Sequence, residues 1–122
     1  MNYLNKNKTN RELKDLIKRI NQKEGWCKIF SNNHLIHELV KFQIMHKLKK
    51  EGYEVWSEAE FNKPYSGRCD IFAIQGGSCL IIEVLDSETE EECKNKCKKY
   101  PKELCSLIFV KTDNFNVETF KL

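Results

Sequence analysis

The chain has 122 residues, 40% of them apolar, and its 21 basic and 18 acidic side chains leave a net charge of +3. That is enough chain for one core, which argues against a second independent domain, and a charge so close to balance excludes capture of nucleic acid by a bulk field, so local placement matters. No apolar run approaches the roughly 20 residues that cross a bilayer, and the opening MNYLNKNKTN lacks the apolar stretch of a signal peptide, so a soluble, intracellular, cytoplasmic protein without membrane association is expected.

In chain order, residues 1 to about 9 are expected to fray. From Asn10, the apolar positions Leu13, Leu16, Ile17 and Ile20 follow helical spacing and predict a first amphipathic helix ending near Gly25. Asn32 or Asn33 is placed to cap a second helix, whose apolar positions Leu35, Ile36, Leu39, Val40, Ile44 and Leu48 recur at three- and four-residue steps until Gly52. Residues 53–61 alternate polar and apolar, as a strand with one wet face does, and a turn with Pro64 and Gly67 follows. Two β-rich runs, 69–74 and 79–85, are joined by Gln75-Gly76-Gly77-Ser78 and predict an antiparallel hairpin. Ser87 and Glu90 have the spacing of a capping box that opens a third helix, stopped before Pro101. The continuous apolar run 104–110 predicts a central strand buried on both faces, joined to the hairpin by the third helix through a right-handed crossover, which makes the sheet mixed.

The six cysteines, Cys27, Cys69, Cys79, Cys93, Cys97 and Cys105, fit none of the tight CxxC pairs that hold zinc. Several stand where a small apolar residue would serve, as Cys79 does beside Leu80, Ile81 and Ile82, and most are expected as buried thiols. A disulfide is the alternative, disfavoured in a mesophilic cytosol. Lysines crowd the first third of the chain and residues 94–102, where solvated helix faces and phosphate contact are both open.

One acid opens the second strand and another ends the third. Gly67-Arg68-Cys69-Asp70-Ile71-Phe72-Ala73-Ile74 resembles the D-hydrophobic-hydrophobic-A strand of the PD-(D/E)XK nuclease superfamily, and Leu80-Ile81-Ile82-Glu83-Val84-Leu85 resembles that family's hydrophobic strand ending in E-x-K. Glu38, in the helix before the first strand, matches the acid that many of these enzymes place there, archaeal Holliday-junction resolvases among them. The resemblance covers about residues 30–112 and leaves 1–29 as an N-terminal helical extension. It implies a restriction endonuclease-like α/β fold, α-β-β-β-α-β, in which a mixed four-stranded sheet is flanked by helices, with an extra N-terminal helix. It also implies hydrolysis of phosphodiester bonds with Mg²⁺ or Mn²⁺.

Elementary chemistry agrees with that implication. Hydrolysing a phosphodiester calls for a divalent ion that lowers the pKa of water and neutralises phosphate charge, and a hard ion asks for carboxylate oxygens. Asp70 and Glu83 are the expected metal ligands, with the Val84 carbonyl as a third and Glu38 in support. The alternative is that each acid merely ends a strand or caps a turn. Yet Glu83 follows three apolar residues, and Glu38 has Leu35, Phe42 and Met45 as helical neighbours, places where an unpaired carboxylate is costly.

The chain departs from the motif at Leu85, which occupies the lysine position of E-x-K. In related enzymes that lysine migrates to the following helix. Lys94 is the first candidate here and Lys98, one turn on along the same face, the second, with ordinary solvent lysines as the alternative. Asp86 and Glu88 stand just beyond Leu85, where they add acids to the site or suit a helix N-terminus. Arg68, two residues before Asp70, is placed to hold a phosphate or to form an ion pair. Tyr65 and Trp56 are stacking candidates that read equally as core aromatics, and His34 and His37 read as a pair on a helix surface. The expected function is therefore a magnesium-dependent endonuclease, most simply a DNA enzyme working as a homodimer. The rival is a catalytically inactive nuclease-fold protein that binds nucleic acid or a protein partner.

Overall fold

A computed structural model describes residues 9–18 and 23–122. The elements are α1 (Asn10–Lys14), α2 (Leu35–Lys50), β1 (Glu54–Glu60), β2 (Arg68–Gln75), β3 (Ser78–Leu85), α3 (Glu90–Lys96) and β4 (Ser106–Lys111). The strands form one sheet in the order β1-β2-β3-β4, antiparallel except for the parallel β3–β4 pair. The chain is thus an α/β domain with a mixed, open, four-stranded sheet.

The β2–β3 hairpin forms the centre of this sheet. Gly76 and Gly77 both take positive φ, 57° and 80°, which a two-residue turn between right-twisting strands requires. Side chains then alternate to opposite sides of the sheet. Ile71, Ala73, Ile82 and Val84 pack with Val40, Ile44, Met45 and Leu48 of α2, while Phe72, Ile74, Ile81 and Leu85 pack with Leu13, Ile17, Cys93 and Tyr100. The sheet therefore carries α2 on one face and α1 with α3 on the other.

Several expectations are corrected. The first helix spans only Asn10–Lys14, opened by a capping box of Thr9 and Glu12, because Ile17 leaves helical geometry to bridge Phe61. Ile20 lies outside the described residues. The N-cap of α2 is His34, without a side-chain hydrogen bond; Asn33 instead donates to Glu38 Oε1 at 2.6 Å. The expected wet face of the first strand is absent, since Val55 to Ala59 are all buried, one edge being covered where the Gly25 amide donates to the Val55 carbonyl. The capping box of α3 is Thr89 with Glu92, two residues later than Ser87 and Glu90. The run 104–110 is not a central strand: β4 is an edge strand with Leu107, Ile108 and Phe109 only half-buried.

Cys79 is also not a free thiol. It is bonded to Cys105 across a 26-residue separation, tying the start of β3 to the start of β4, while Cys27, Cys69, Cys93 and Cys97 are free. Closing a loop of 26 residues removes unfolded-state entropy worth about 3 kcal/mol. Reduction, or Cys79→Ala with Cys105→Ala, is accordingly expected to lower the melting temperature by about 10 °C. Calorimetry with and without reductant checks this, and an unchanged melting curve would show that the bond contributes nothing.

Candidate functional site

The hairpin register that pairs Ile71 with Ile82 places Asp70 opposite Glu83, and the register that pairs Ser57 with Ile71 and Ala59 with Cys69 places Glu58 on the other side of Asp70. Three carboxylates thus form a row across β1, β2 and β3, all buried. Glu58 and Asp70 border a cleft of about 530 Å³ whose lining also includes Arg68, Asp86, Glu88 and Lys96, while Glu83 lies beneath it.

Glu58 was not legible as a site residue. Its φ of 52° lies in the left-handed region, a conformation that costs a non-glycine residue about 1–3 kcal/mol and that recurs at functional positions. The kink breaks the alternation of β1, so that Trp56 and Ala59, three residues apart, enter the same core layer. Glu58 Oε2 accepts from Lys41 Nζ at 3.1 Å, and its Oε1 lies 3.3 Å from Arg68 Nε. Lys41 is fully buried and reaches Glu38 Oε2 at 2.6 Å as well as the Lys28 carbonyl at 2.6 Å. Burial opposes its charge, but the two carboxylates outweigh burial and raise its pKa.

Glu38 stands behind the cleft rather than in its lining. It joins Asp70 through His37, whose Nδ1 is 3.4 Å from Glu38 Oε1 and whose Nε2 is 3.3 Å from Asp70 Oδ2. His37 is therefore not part of a surface pair; the Asp70 carboxylate raises its pKa against the opposing effect of burial. His34 is exposed but contacts Asp86 Oδ2. Burial pushes Asp70 toward protonation, yet the His37 contact and the Val84 amide, which donates to Oδ2 at 2.7 Å, hold its pKa below the usual value.

Glu83 behaves in the opposite way. It is 1% exposed, and burial, reinforced by the neighbouring Asp70 charge, pushes its pKa up to about 8. The Tyr100 hydroxyl lies 2.7 Å from both Glu83 Oε1 and the Arg68 carbonyl. One hydroxyl proton serves one acceptor at a time, so a protonated Glu83 donates to Tyr100 while Tyr100 donates onward to the carbonyl. Gly67 permits this approach: it takes φ 106°, and a Cβ there would meet Tyr100 Cε1 at 2.6 Å.

Lys96 Nζ is 3.4 Å from Glu83 Oε2, and the charges of Glu83 and Asp70 raise its pKa despite partial burial. This is the α3 lysine that the structure brings to the cleft. Lys94 and Lys98 are exposed and do not line it. Leu85 is buried in the core layer beneath α3. Arg68 lines the cleft with its guanidinium 4.9 Å over the Phe30 ring. Trp56 is buried core, and Tyr65 donates to Glu103 at 2.6 Å away from the cleft.

Glu38, Glu58, Asp70 and Glu83 together face the permanent cations Lys41, Arg68 and Lys96. The remaining negative charge is balanced by a proton, on His37 or Glu83, or by an added cation. No three His, Cys, Asp or Glu side chains among the described residues are gathered as a ready metal centre. Asp70 and Glu83 are the two facing acids that could hold a hard divalent cation. No helix among the described residues is long and apolar enough to cross a membrane. No family model, curated protein sequence or solved structure matches the chain.

Proposed function

We propose that the chain is a metal-dependent nuclease of the restriction endonuclease-like class, hydrolysing phosphodiester bonds of nucleic acid, with DNA as the first substrate class to test. The observation that carries the proposal is the pair of facing carboxylates, Asp70 at the cleft wall and Glu83 buried beside it, with the Lys96 ammonium of the cleft lining 3.4 Å from Glu83. The element order from α2 to β4 and the mixed sheet agree with this class. Asp70 and Glu83 fit Mg²⁺ or Mn²⁺, since burial first and the neighbouring Asp70 charge second push the pKa of Glu83 up, and an added cation would offset both. Such an ion, when bound, acidifies water and neutralises charge on the phosphate.

The protein's own groups divide the remaining work. Arg68 offers a guanidinium to a phosphate oxygen at the cleft wall. Lys96 supplies the cation that Leu85 cannot, positioned to stabilise charge as the attacking oxygen forms its bond. His37, with Glu38 at its other ring nitrogen, orients Asp70 through its Nε2. Lys41 holds Glu38 and Glu58 in place behind the site.

Incubating pure protein with labelled single-stranded, duplex and four-way-junction DNA, and with RNA, in Mg²⁺, Mn²⁺ or EDTA tests the proposal. Metal-dependent, EDTA-sensitive cleavage is expected. Lys96→Ala is expected to slow it by about 100-fold or more, and Lys94→Ala and Lys98→Ala to leave it nearly unchanged. Equal rates for all three variants would remove Lys96 from the chemistry. A second reading, a nuclease-fold protein that binds nucleic acid or a partner without cutting, is favoured by one observation: protein cations already engage the acids around the cleft. Salt-sensitive retention of DNA with no cleavage in either metal would select it.

A further inference from the structure

A second groove adjoins the cleft. Its volume is about 780 Å³, and its lining includes Lys18, Glu60, Phe61, Lys63, Tyr65 and Arg68. Arg68 also lines the cleft, so the two depressions meet at its guanidinium. Their charges are opposite. Glu58, Asp70, Asp86 and Glu88 face the permanent cations Arg68 and Lys96 in the cleft, whereas the groove sets Lys18, Lys63 and Arg68 against Glu60 alone. Glu60 lies 3.5 Å from Lys18 with both side chains about half exposed, a weak pair that leaves the ammonium open to a better anion. The groove is also held in shape by its backbone. The Lys18 amide donates to the Glu60 carbonyl at 2.8 Å, the Asn62 amide to the Leu16 carbonyl at 2.8 Å, and the Ser66 amide to the Lys99 carbonyl at 3.1 Å. Tyr65 is half-buried, and its hydroxyl donates to Glu103 at 2.6 Å, which fixes the ring by its edge. A fixed aromatic ring among cations is the arrangement on which an unpaired base stacks while its phosphates meet ammonium groups.

We infer that this groove holds an unpaired strand of nucleic acid continuing out of the cleft, with a base on the Tyr65 ring, phosphates on Lys63 and Lys18, and Arg68 at the junction. The direction of the strand rests on the nuclease reading proposed above, and the inference narrows the substrate of that reading to single-stranded or splayed nucleic acid. Strand binding itself needs no cleavage. Two features select an unpaired strand as the occupant. Paired bases already stack on their neighbours and offer no free face to Tyr65, whereas an unpaired base can turn onto the ring. The positive charge is local to the groove, and it lies beside a cleft whose own acids repel phosphate until a cation is added, so the groove supplies the attraction for the backbone that neither the cleft nor the net charge of +3 provides.

Fluorescence anisotropy of labelled oligothymidine DNA, oligouridine RNA and a DNA duplex of equal length, titrated with the full chain in EDTA, tests this apart from any cleavage. At least one of the two strands is expected to bind more tightly than the duplex. Tyr65→Leu is expected to weaken strand binding by about 10-fold or more, while Tyr65→Phe, which gives up only the bond to Glu103, retains it. Lys18→Ala with Lys63→Ala is expected to flatten the dependence of log Kd on log salt by about 0.7 for each lost phosphate contact, a readout that a purely structural role in the loop would not move. Circular dichroism of each variant should match the parent. Strand binding in EDTA without cleavage in Mg²⁺ or Mn²⁺ leaves the groove standing and selects the non-cutting reading of the protein. Metal-dependent cleavage with strand binding indifferent to Tyr65→Leu does the reverse, keeping the nuclease and overturning the groove. A duplex bound at least as tightly as both strands, or Tyr65→Phe as damaging as Tyr65→Leu, also overturns the inference.

Discussion

Asp70→Asn and Glu83→Gln are each expected to abolish metal-dependent cleavage, with a loss of about 1,000-fold or more, because each removes a charge from a two-carboxylate site with little change of shape. Their effects on stability should differ. Glu83 titrates at about 8 in the folded chain against an ordinary 4.5. A folded-state pKa above the unfolded value gives a contribution that is complete below about 4.5 and is lost as pH rises through 8. Glu83→Gln is therefore expected to flatten the fall in stability between those pH values, and Mg²⁺ to stabilise the parent more at pH 8.5 than at pH 6. Asp70 is held low by His37 and the Val84 amide, so its contribution is present at neutral pH and lost on acidification. Asp70→Asn should cost stability at pH 7. Urea unfolding of the three proteins across pH, beside the cleavage assay, measures both effects; variants that cut like the parent would place the activity elsewhere.

The largest loss of stability is expected from Lys41→Met. The side chain is fully buried, with Glu38 at 2.6 Å and Glu58 at 3.1 Å. Methionine nearly preserves its volume, so the cost comes from two buried carboxylates left without their shared cation. Breaking a buried pair in this way costs about 3–5 kcal/mol, a large part of the 5–15 kcal/mol of a typical domain. The melting temperature should fall by more than about 10 °C. Adding Glu38→Gln and Glu58→Gln should recover part of the loss, because it is then no longer a charge that is stranded. A loss below about 1 kcal/mol in Lys41→Met would show that water, not Lys41, satisfies these acids.

The hairpin, α2 and the pair Asp70–Glu83 were legible in the sequence because their signals are local. Two glycines dictate the turn, apolar steps of three and four dictate the helix, and a two-residue hairpin between strands of known phase fixes which acids face each other. The row is completed by Glu58, which local pattern assigned to a wet strand face. Its place opposite Asp70 depends on the register across the longer connection 61–67, which no alternation of neighbours encodes. His37 was likewise assigned to a surface, since its contact with Asp70 joins residues 33 positions apart.

The lysine beside Glu83 shows the same division. Sequence restricted the candidates to α3, but Lys94 and Lys96 flank the buried face of Cys93 and Cys97 on either side, and helical period cannot choose between flanks. The docking of α3 on β3 chose Lys96, turning that flank toward Glu83. The apolar run 104–110 was a strand by composition, yet its place at the sheet edge is a matter of strand order, which apolarity alone does not specify. What the sequence determined by itself was each element's type and the identity of two acids, through interactions within a few residues. What the tertiary structure decided was which acids, cations and thiols meet, because those contacts are set by strand register and helix docking over tens of residues.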